Sequence, residues 1–378
     1  MASVLFVMRY PLHCGDNLIT KFDGQIAAVR ALGHQVHWLG WSPEGIWLCG
    51  DGDAELIRKT NLSWMPGYCH TLLHCHLMDA LKIAVDRLKP DLVYLRFMRT
   101  FAGAPQAIAH AKKAGAKLVV EHPTYPFANG KTTSLIRKPF FWYCDRVFRK
   151  IEPMIDLYTL IGDPCDGNLN GRPAMNILNG VDVARFSLHQ PRTDEADIHM
   201  LALASMSRWQ GYDRLIRAMA AYQGPEKAIL HMAGEDGDGS LAQWRALAEE
   251  LGIADQVVFE GPMYGNQLDE LVARCDIGIG GLGLYRKNQF VSMPLKLREY
   301  MACGLPFVYA VDDPLMPDEP RFCLRIPNDD TLPDMALLIS FAKQAKADTE
   351  VPALMQTYAR EHMSWEGVLK PVLERVGL

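Results

Sequence analysis

Short runs of β-branched and apolar residues alternate with segments of helical spacing along most of this chain. Residues 3–8 (SVLFVM) read as a buried strand. A loop rich in Gly and Asp follows, then a helix over 22–32 that stops at Gly33, and a strand over 34–39 (HQVHWL). The rhythm returns in strands at 91–97 (DLVYLRF), 117–121 (KLVVE), 156–161 (DLYTLI) and 176–178. Strands that are apolar at nearly every position imply a parallel sheet covered on both faces by crossover helices. A second series begins after Phe186, with strands predicted at 199–206, 228–233, 257–260, 276–280, 306–310 and 323–326. Its helices are predicted at 212–221, 241–251, 267–274 and 294–303. Residues 187–198, with charges of both signs and a proline, read as a linker, and after Thr331 the spacing is helical to the end. The expected fold class is α/β: two Rossmann-like parallel-sheet domains, 1–182 and 183–361, facing a cleft, with C-terminal helices. In such sheets ligands sit beyond the carboxyl ends of the strands.

Length and composition sharpen this picture in a few places. At 378 residues, 49% of them apolar and 22% charged, the chain has ample material for two cores. With 44 acidic against 39 basic residues the formal net charge is −5, which disfavours nucleic acid as a partner. Nine cysteines, an odd number scattered along the chain, fit a reducing cytoplasm better than a disulfide framework. The opening MASVLFVMRYPLHCGD lacks a charged n-region and a small-residue cleavage site, so no signal peptide is expected. No stretch has the length of apolar residues a membrane span needs.

The most informative stretch is 278–306, GIGGLGLYRKNQFVSMPLKLREYMACGLP. Gly278, Gly280 and Gly283 spell Gly-x-Gly-x-x-Gly, but an extended polar segment follows where a dinucleotide site needs a helix. Pro294 suits the start of a helix, whose unfilled backbone N–H groups around Met293, Leu295 and Lys296 would favour an anion. Lys296 and Glu299, three apart, share a helical face. A cation and a carboxylate there could hold a diphosphate and a sugar or ribose hydroxyl; alternatively they form a solvated salt bridge.

At this point the chain resembles the GT-B glycosyltransferases, specifically glycosyltransferase family 4. The run Arg298-Glu299-Tyr300-Met301-Ala302-Cys303-Gly304-Leu305-Pro306 is similar to the family element carrying the second Glu of a Glu-x7-Glu motif. Asn179-Gly180-Val181-Asp182 followed by Phe186 resembles the inter-domain segment. Trp209-Gln210-Gly211-Tyr212-Asp213-Arg214-Leu215-Ile216 resembles the region after the first strand of the second domain, and Ala233-Gly234-Glu235-Asp236-Gly237 a strand-end loop. Glu121-His122-Pro123-Thr124-Tyr125-Pro126 is similar to branches that build bacterial surface polysaccharides. Two departures stand out: Ser292, seven residues before Glu299, is read as replacing the motif's first Glu, and Gln210 replaces a diphosphate-binding Lys. Arg208 or Lys296 would then supply the cation.

The resemblance implies a retaining glycosyltransferase that moves a sugar from a UDP- or GDP-linked donor to a hydroxyl of a glycan or lipid-linked glycan acceptor, with no cofactor and no metal. It implies donor contacts from Gly15, Asp16, Arg208, Gln210, Ser292, Pro294, Leu295, Lys296 and Glu299, acceptor contacts from Asn17, Lys21 and Asp23, and catalytic roles for His122 and Glu299. It also implies that the last helix, within 362–378, crosses back onto the first domain. A nucleotide-sugar epimerase and an inert glycan-binding or scaffold subunit remain as alternatives. The loop at 12–25 reads equally as an ordinary strand-to-helix turn, and His122 as a structural histidine.

Other signals are weaker. Cys69, His70, His74, Cys75 and His76 cluster without a second pair at zinc-site spacing, so no metal site is expected. Asp51-Gly52-Asp53 and Asp236-Gly237-Asp238 read as turns. Residues 131–150, KTTSLIRKPFFWYCDRVFRK, hold six basic residues and one acid among aromatics. They suit either peripheral association with an anionic membrane, at its inner face in a cytoplasmic protein, or a packed helix with a solvated basic flank.

Overall fold

In a computed structural model of the chain the described residues are 1–12, 18–61, 70–97, 103–125, 138–162, 165–192 and 197–378. They form two units, Met1–Leu178 with Trp365–Leu378, and Asn179–Ser364.

The first unit runs β1 (Ser3–Pro11), α1 (Ile19–Ala31), β2 (Gln35–Ser42), β3 (Gly45–Cys49), β4 (Ala54–Lys59), α2 (His70–Leu88), β5 (Leu92–Arg96), α3 (Ala104–Lys113), β6 (Lys117–Tyr125), α4 (Lys138–Phe148), β7 (Leu157–Gly162), β8 (Asn168–Leu169) and β9 (Arg172–Asn176). Its sheet has the order β4-β3-β2-β1-β5-β6-β7-β9-β8. Within it β2, β1, β5, β6, β7 and β9 pair in parallel, in keeping with their largely apolar runs. Leu5, Val7, Val93, Leu95, Leu118 and Val120 join the core that also takes in Leu77, Leu81 and Ile108 from α2 and α3. Antiparallel strands finish both edges. The β3–β4 hairpin was not expected from sequence, because β4 (AELIRK) is half-exposed and lacks a buried run. Its turn is Asp51-Gly52-Asp53, closed by Gly50 N–H donating to the Asp53 carbonyl at 2.9 Å.

The second unit runs β10 (Ile198–Leu203), α5 (Tyr212–Ala221), β11 (Ala228–Ala233), α6 (Ser240–Glu250), β12 (Val257–Gly261), α7 (Asn266–Ala273), β13 (Ile277–Ile279), α8 (Leu295–Cys303), β14 (Phe307–Tyr309), β15 (Cys323–Arg325), α9 (Met335–Ala347) and α10 (Val351–His362). All six strands are parallel, in the order β12-β11-β10-β13-β14-β15. Strand order reverses between β10 and β13, and the carboxyl ends of those two strands form the switch point where such sheets take ligands. Both faces are covered: Met200 and Ala202 share a core with residues of α5, α6 and α9, and Leu201 packs in another with Tyr300, Met301 and Met355.

The last helix, α11 (Trp365–Arg375), belongs to the first unit, where it packs on α1 with Trp365 buried. Among the described residues no helix is long and apolar enough to cross a membrane.

Candidate functional site

The second unit gathers its polar chemistry at the switch point. After β10 the chain makes a short 3-10 turn, Arg208–Gln210, and enters α5 through Gly211. After β13 a glycine-rich loop leads to a second such turn, Leu284–Lys287. The two loops cross backbone to backbone: Leu282 N–H donates to the Gln210 carbonyl at 2.7 Å. A Cβ on Gly211, whose φ is +74°, would lie 2.5 Å from the Gly283 nitrogen, so only glycine permits this crossing. Buried Arg214 fixes the same loop by donating to the Leu282 carbonyl. Arg286 forms two bonds to Asp213, at 2.7 and 2.9 Å, and donates to the Arg208 carbonyl at 2.8 Å.

Helix α8 supplies the third side. Tyr300 hydroxyl donates to the Leu201 carbonyl at 2.9 Å and accepts from Leu203 N–H at 3.2 Å. Its ring lies where a Cβ on Gly278 would stand, at 2.7 Å, which pins the helix to the sheet. Arg298, fully buried, grips Asp313 through two bonds at 2.6 and 2.9 Å and donates to the Asn179 carbonyl. With Leu297, Arg298, Tyr300 and Met301 inward, Lys296 and Glu299 occupy the partly exposed face. Pro294 stands at the N-cap rather than within the helix, and no side chain caps the helix start.

Lys296 reaches from α8 to the neighbouring loop. Its Nζ donates to Gln210 Oε1 at 2.9 Å and to Tyr212 hydroxyl at 3.0 Å. Burial lowers its pKa to about 7, with the Glu299 carboxylate opposing. Burial raises the pKa of Glu299 in turn, against the pull of Lys296 and Arg185. A displaceable ammonium, a carboxylate and a helix N-terminus thus converge at the carboxyl ends of the central strands, an arrangement suited to an anion carrying hydroxyl groups.

The structure brings Gln210, Pro294, Leu295, Lys296 and Glu299 together. Gln210 turns inward, is nearly buried and also donates to the Ser205 carbonyl at 3.2 Å, so its side chain positions Lys296. Arg208 lies on the same turn with its side chain exposed; its N–H donates to Asp238 at 3.0 Å. Ser292 N–H donates to the Asp312 carbonyl at 2.9 Å. Counting seven intervening residues places Val291, not Ser292, at the motif's first Glu. Val291 borders an open pocket of ≈ 450 Å³ with Phe290, Asp312, Arg325 and Asn328. Tyr212 and Arg185 were missed in the sequence; Tyr212 carries no signal beyond opening a helix. Asp236 does shape a turn, accepting from Gly239 N–H at 2.8 Å.

In the first unit, Gly15, Asp16 and Asn17 lie outside the described residues. Lys21 was expected to meet an acceptor, but it lies buried in an ion pair with Glu121 at 2.9 Å. Gln25, Tyr94 and Arg96 also donate to that carboxylate, at 2.7, 2.9 and 3.2 Å. Burial disfavours both charges, and the Lys21 and Arg96 charges hold Glu121 ionised. Asp23 accepts from Tyr10 hydroxyl at 2.6 Å. His122 is inside β6 and 1% exposed, ringed by Phe97, Phe148 and Tyr158. Burial depresses its pKa to about 3, so it is neutral near pH 7. Cys69 is outside the described residues, and among those described no group of three His, Cys, Asp or Glu residues could hold a metal.

Comparisons bear on the fold and on the second unit. A family model described as glycosyl transferases group 1 matches residues 185–318, which include Lys296 and Glu299. No curated protein matches. Among solved structures, Anabaena Alr3699/HepE in complex with UDP is 14% identical, with 99% of each chain covered and a TM-score of 0.59. A glycosyltransferase from Rickettsia africae is 13% identical, covering 99% of this chain and 97% of the other, with a TM-score of 0.62. The catalytic domain of Arabidopsis thaliana starch synthase IV, bound to ADP and acarbose, is 10% identical over 99% of this chain and 98% of that one, with a TM-score of 0.65. At these identities the likeness speaks for the fold alone, two α/β units of the GT-B type, and the group 1 model matches a stretch that lies within the second unit.

Proposed function

We propose that this protein is a retaining glycosyltransferase of the family 4 type, moving a sugar from a nucleoside-diphosphate donor to a hydroxyl of a glycan or lipid-linked glycan acceptor. The observation that carries this reading is the convergence of Lys296, Glu299 and the uncapped start of α8 at the switch point of the second unit. Structures of the same fold hold UDP in one case and ADP in another, which supports a nucleoside diphosphate as the ligand here.

Breaking the bond between the sugar's anomeric carbon and the diphosphate builds negative charge on the leaving oxygen. Lys296 and the α8 backbone N–H groups would meet that charge, fixed in place before the reaction. Arg208, exposed on the adjoining turn, would reach the outer phosphate. Glu299 would accept from donor hydroxyl groups and orient them. The acceptor hydroxyl forms the new bond on the same face, and its proton passes to the departing phosphate oxygen. With protein cations neutralising the diphosphate, no metal is required. The acceptor would be held by the first unit, through Asp23 and the loop containing Asn17. His122, enclosed by Phe97, Phe148 and Tyr158 and neutral near pH 7, would play a structural part rather than touch the sugar.

Calorimetry with UDP, GDP and ADP in EDTA, on wild type and Glu299→Gln, tests the reading. We expect micromolar binding of one nucleotide, weakened at least severalfold by the substitution. A folded protein that binds none of them would overturn the enzyme reading and favour an inert glycan-binding subunit.

A further inference from the structure

One surface of the first unit lies outside the donor chemistry. In α4, Cys144 and Val147 are buried, and Phe148 packs edge-on against Phe97. The side away from them carries Trp142, 62% exposed; Tyr143, 39% exposed, stands at its flank, and Phe140, 36% exposed, lies near the start of the helix. Soluble surfaces seldom gather aromatics in this way without a partner. Around them Lys138, Arg146, Arg149 and Lys150 are all exposed, with Asp145 as the one acid of residues 138–150. Trp142, Arg146 and Arg149 follow one another at spacings of four and three, so they share the outward face. The Arg146 guanidinium sits 5.4 Å above the Trp142 ring.

We infer that this face of α4 docks on an anionic lipid bilayer. Trp and Tyr, each an apolar ring with a polar handle, settle at the depth of lipid headgroups, and the surrounding cations meet lipid phosphates. Charge selects the occupant. The chain carries a formal net charge of −5 and would be repelled from an anionic surface as a whole, yet this patch has four cations against one acid. Neither the aromatics nor the cations suffice alone, since interfacial binding combines buried apolar area with electrostatic attraction. The inference stands independently of donor binding, because it uses none of the residues at the switch point.

The test is flotation of the full chain with vesicles of phosphatidylcholine containing about 30 mol% phosphatidylglycerol, a composition rich enough in anionic lipid for surface attraction. Vesicles of phosphatidylcholine alone serve as comparison. Wild type should float with the anionic vesicles, stay behind with the neutral ones, and be released at high salt. Arg146→Glu/Arg149→Glu should lower the partition at least tenfold, and Trp142→Ala severalfold, with thermal melts unchanged. Arg146→Gln/Arg149→Gln replaces the charge reversal if that variant does not fold. Brominated lipid should quench wild-type tryptophan fluorescence more than that of Trp142→Phe. Equal binding to both vesicle types, no binding at low salt, or unimpaired binding by the charge-altered variant would each overturn the inference. So would self-association through this face without vesicle binding, which would name a second copy as the occupant.

Discussion

Lys296 should tie donor binding to proton uptake. In the ligand-free protein burial holds its pKa at about 7, so near neutrality the side chain is about half charged. A diphosphate beside Nζ favours the ammonium form and raises that pKa, so the charged fraction of free protein sets the apparent affinity. The sign is fixed: binding weakens as pH rises. Between about pH 7.5 and about pH 9 the charged fraction falls from about a quarter to about one hundredth, which is ~25-fold in Kd, or ~1.9 kcal/mol. Over that window the diphosphate is already ionised, because a phosphate's second pKa is about 6. Calorimetry in buffers of different ionisation enthalpy should show about 0.9 proton taken up per nucleotide at about pH 8. Lys296→Ala should bind at least about tenfold more weakly at the lower pH, having lost a charge-assisted contact, and should show no slope. A flat wild-type profile, or a slope that survives in Lys296→Ala, refutes the reasoning.

Two further outcomes follow from the packing. Gly211→Ala would place a Cβ 2.5 Å from the Gly283 nitrogen at a φ of +74°. It should destabilise the fold by about 1–3 kcal/mol in urea melts and weaken nucleotide binding, because Gln210 and the loop it anchors must shift. Glu121→Gln leaves the Lys21 and Arg96 charges inside the first unit without their carboxylate, and should cost about 3–5 kcal/mol by the same measurement. Glu121 is held below its ordinary pKa, so its contribution is whole above the usual carboxylate range and drains as pH falls below it. Melts of wild type and variant should therefore converge in acid; a constant gap would show that the charge is not what matters.

Much of this protein was legible before folding was considered. Continuous apolar runs such as 228–233 announced parallel strands, and both that strand and the helix at 212–221 appear with the expected bounds. The pairing of Lys296 with Glu299 was readable because it is local, three residues apart on one helix face. The edge strand β4 escaped because an edge needs no buried run, and its composition resembles a loop. Other assignments turned on contacts between residues far apart in the chain. Nothing local shows that Gln210 turns inward to Lys296, 86 positions away, or that Tyr212 completes the grip. Nor does Lys21, in the first turn of α1, disclose that it will be buried against a carboxylate 100 residues on. The sequence by itself determined the order of elements and the helix start that favours an anion, because periodicity and capping act within a few residues. Tertiary structure alone decided which charges stay exposed to a ligand and which are spent inside, because desolvation and ion pairing depend on what the rest of the chain packs around each group.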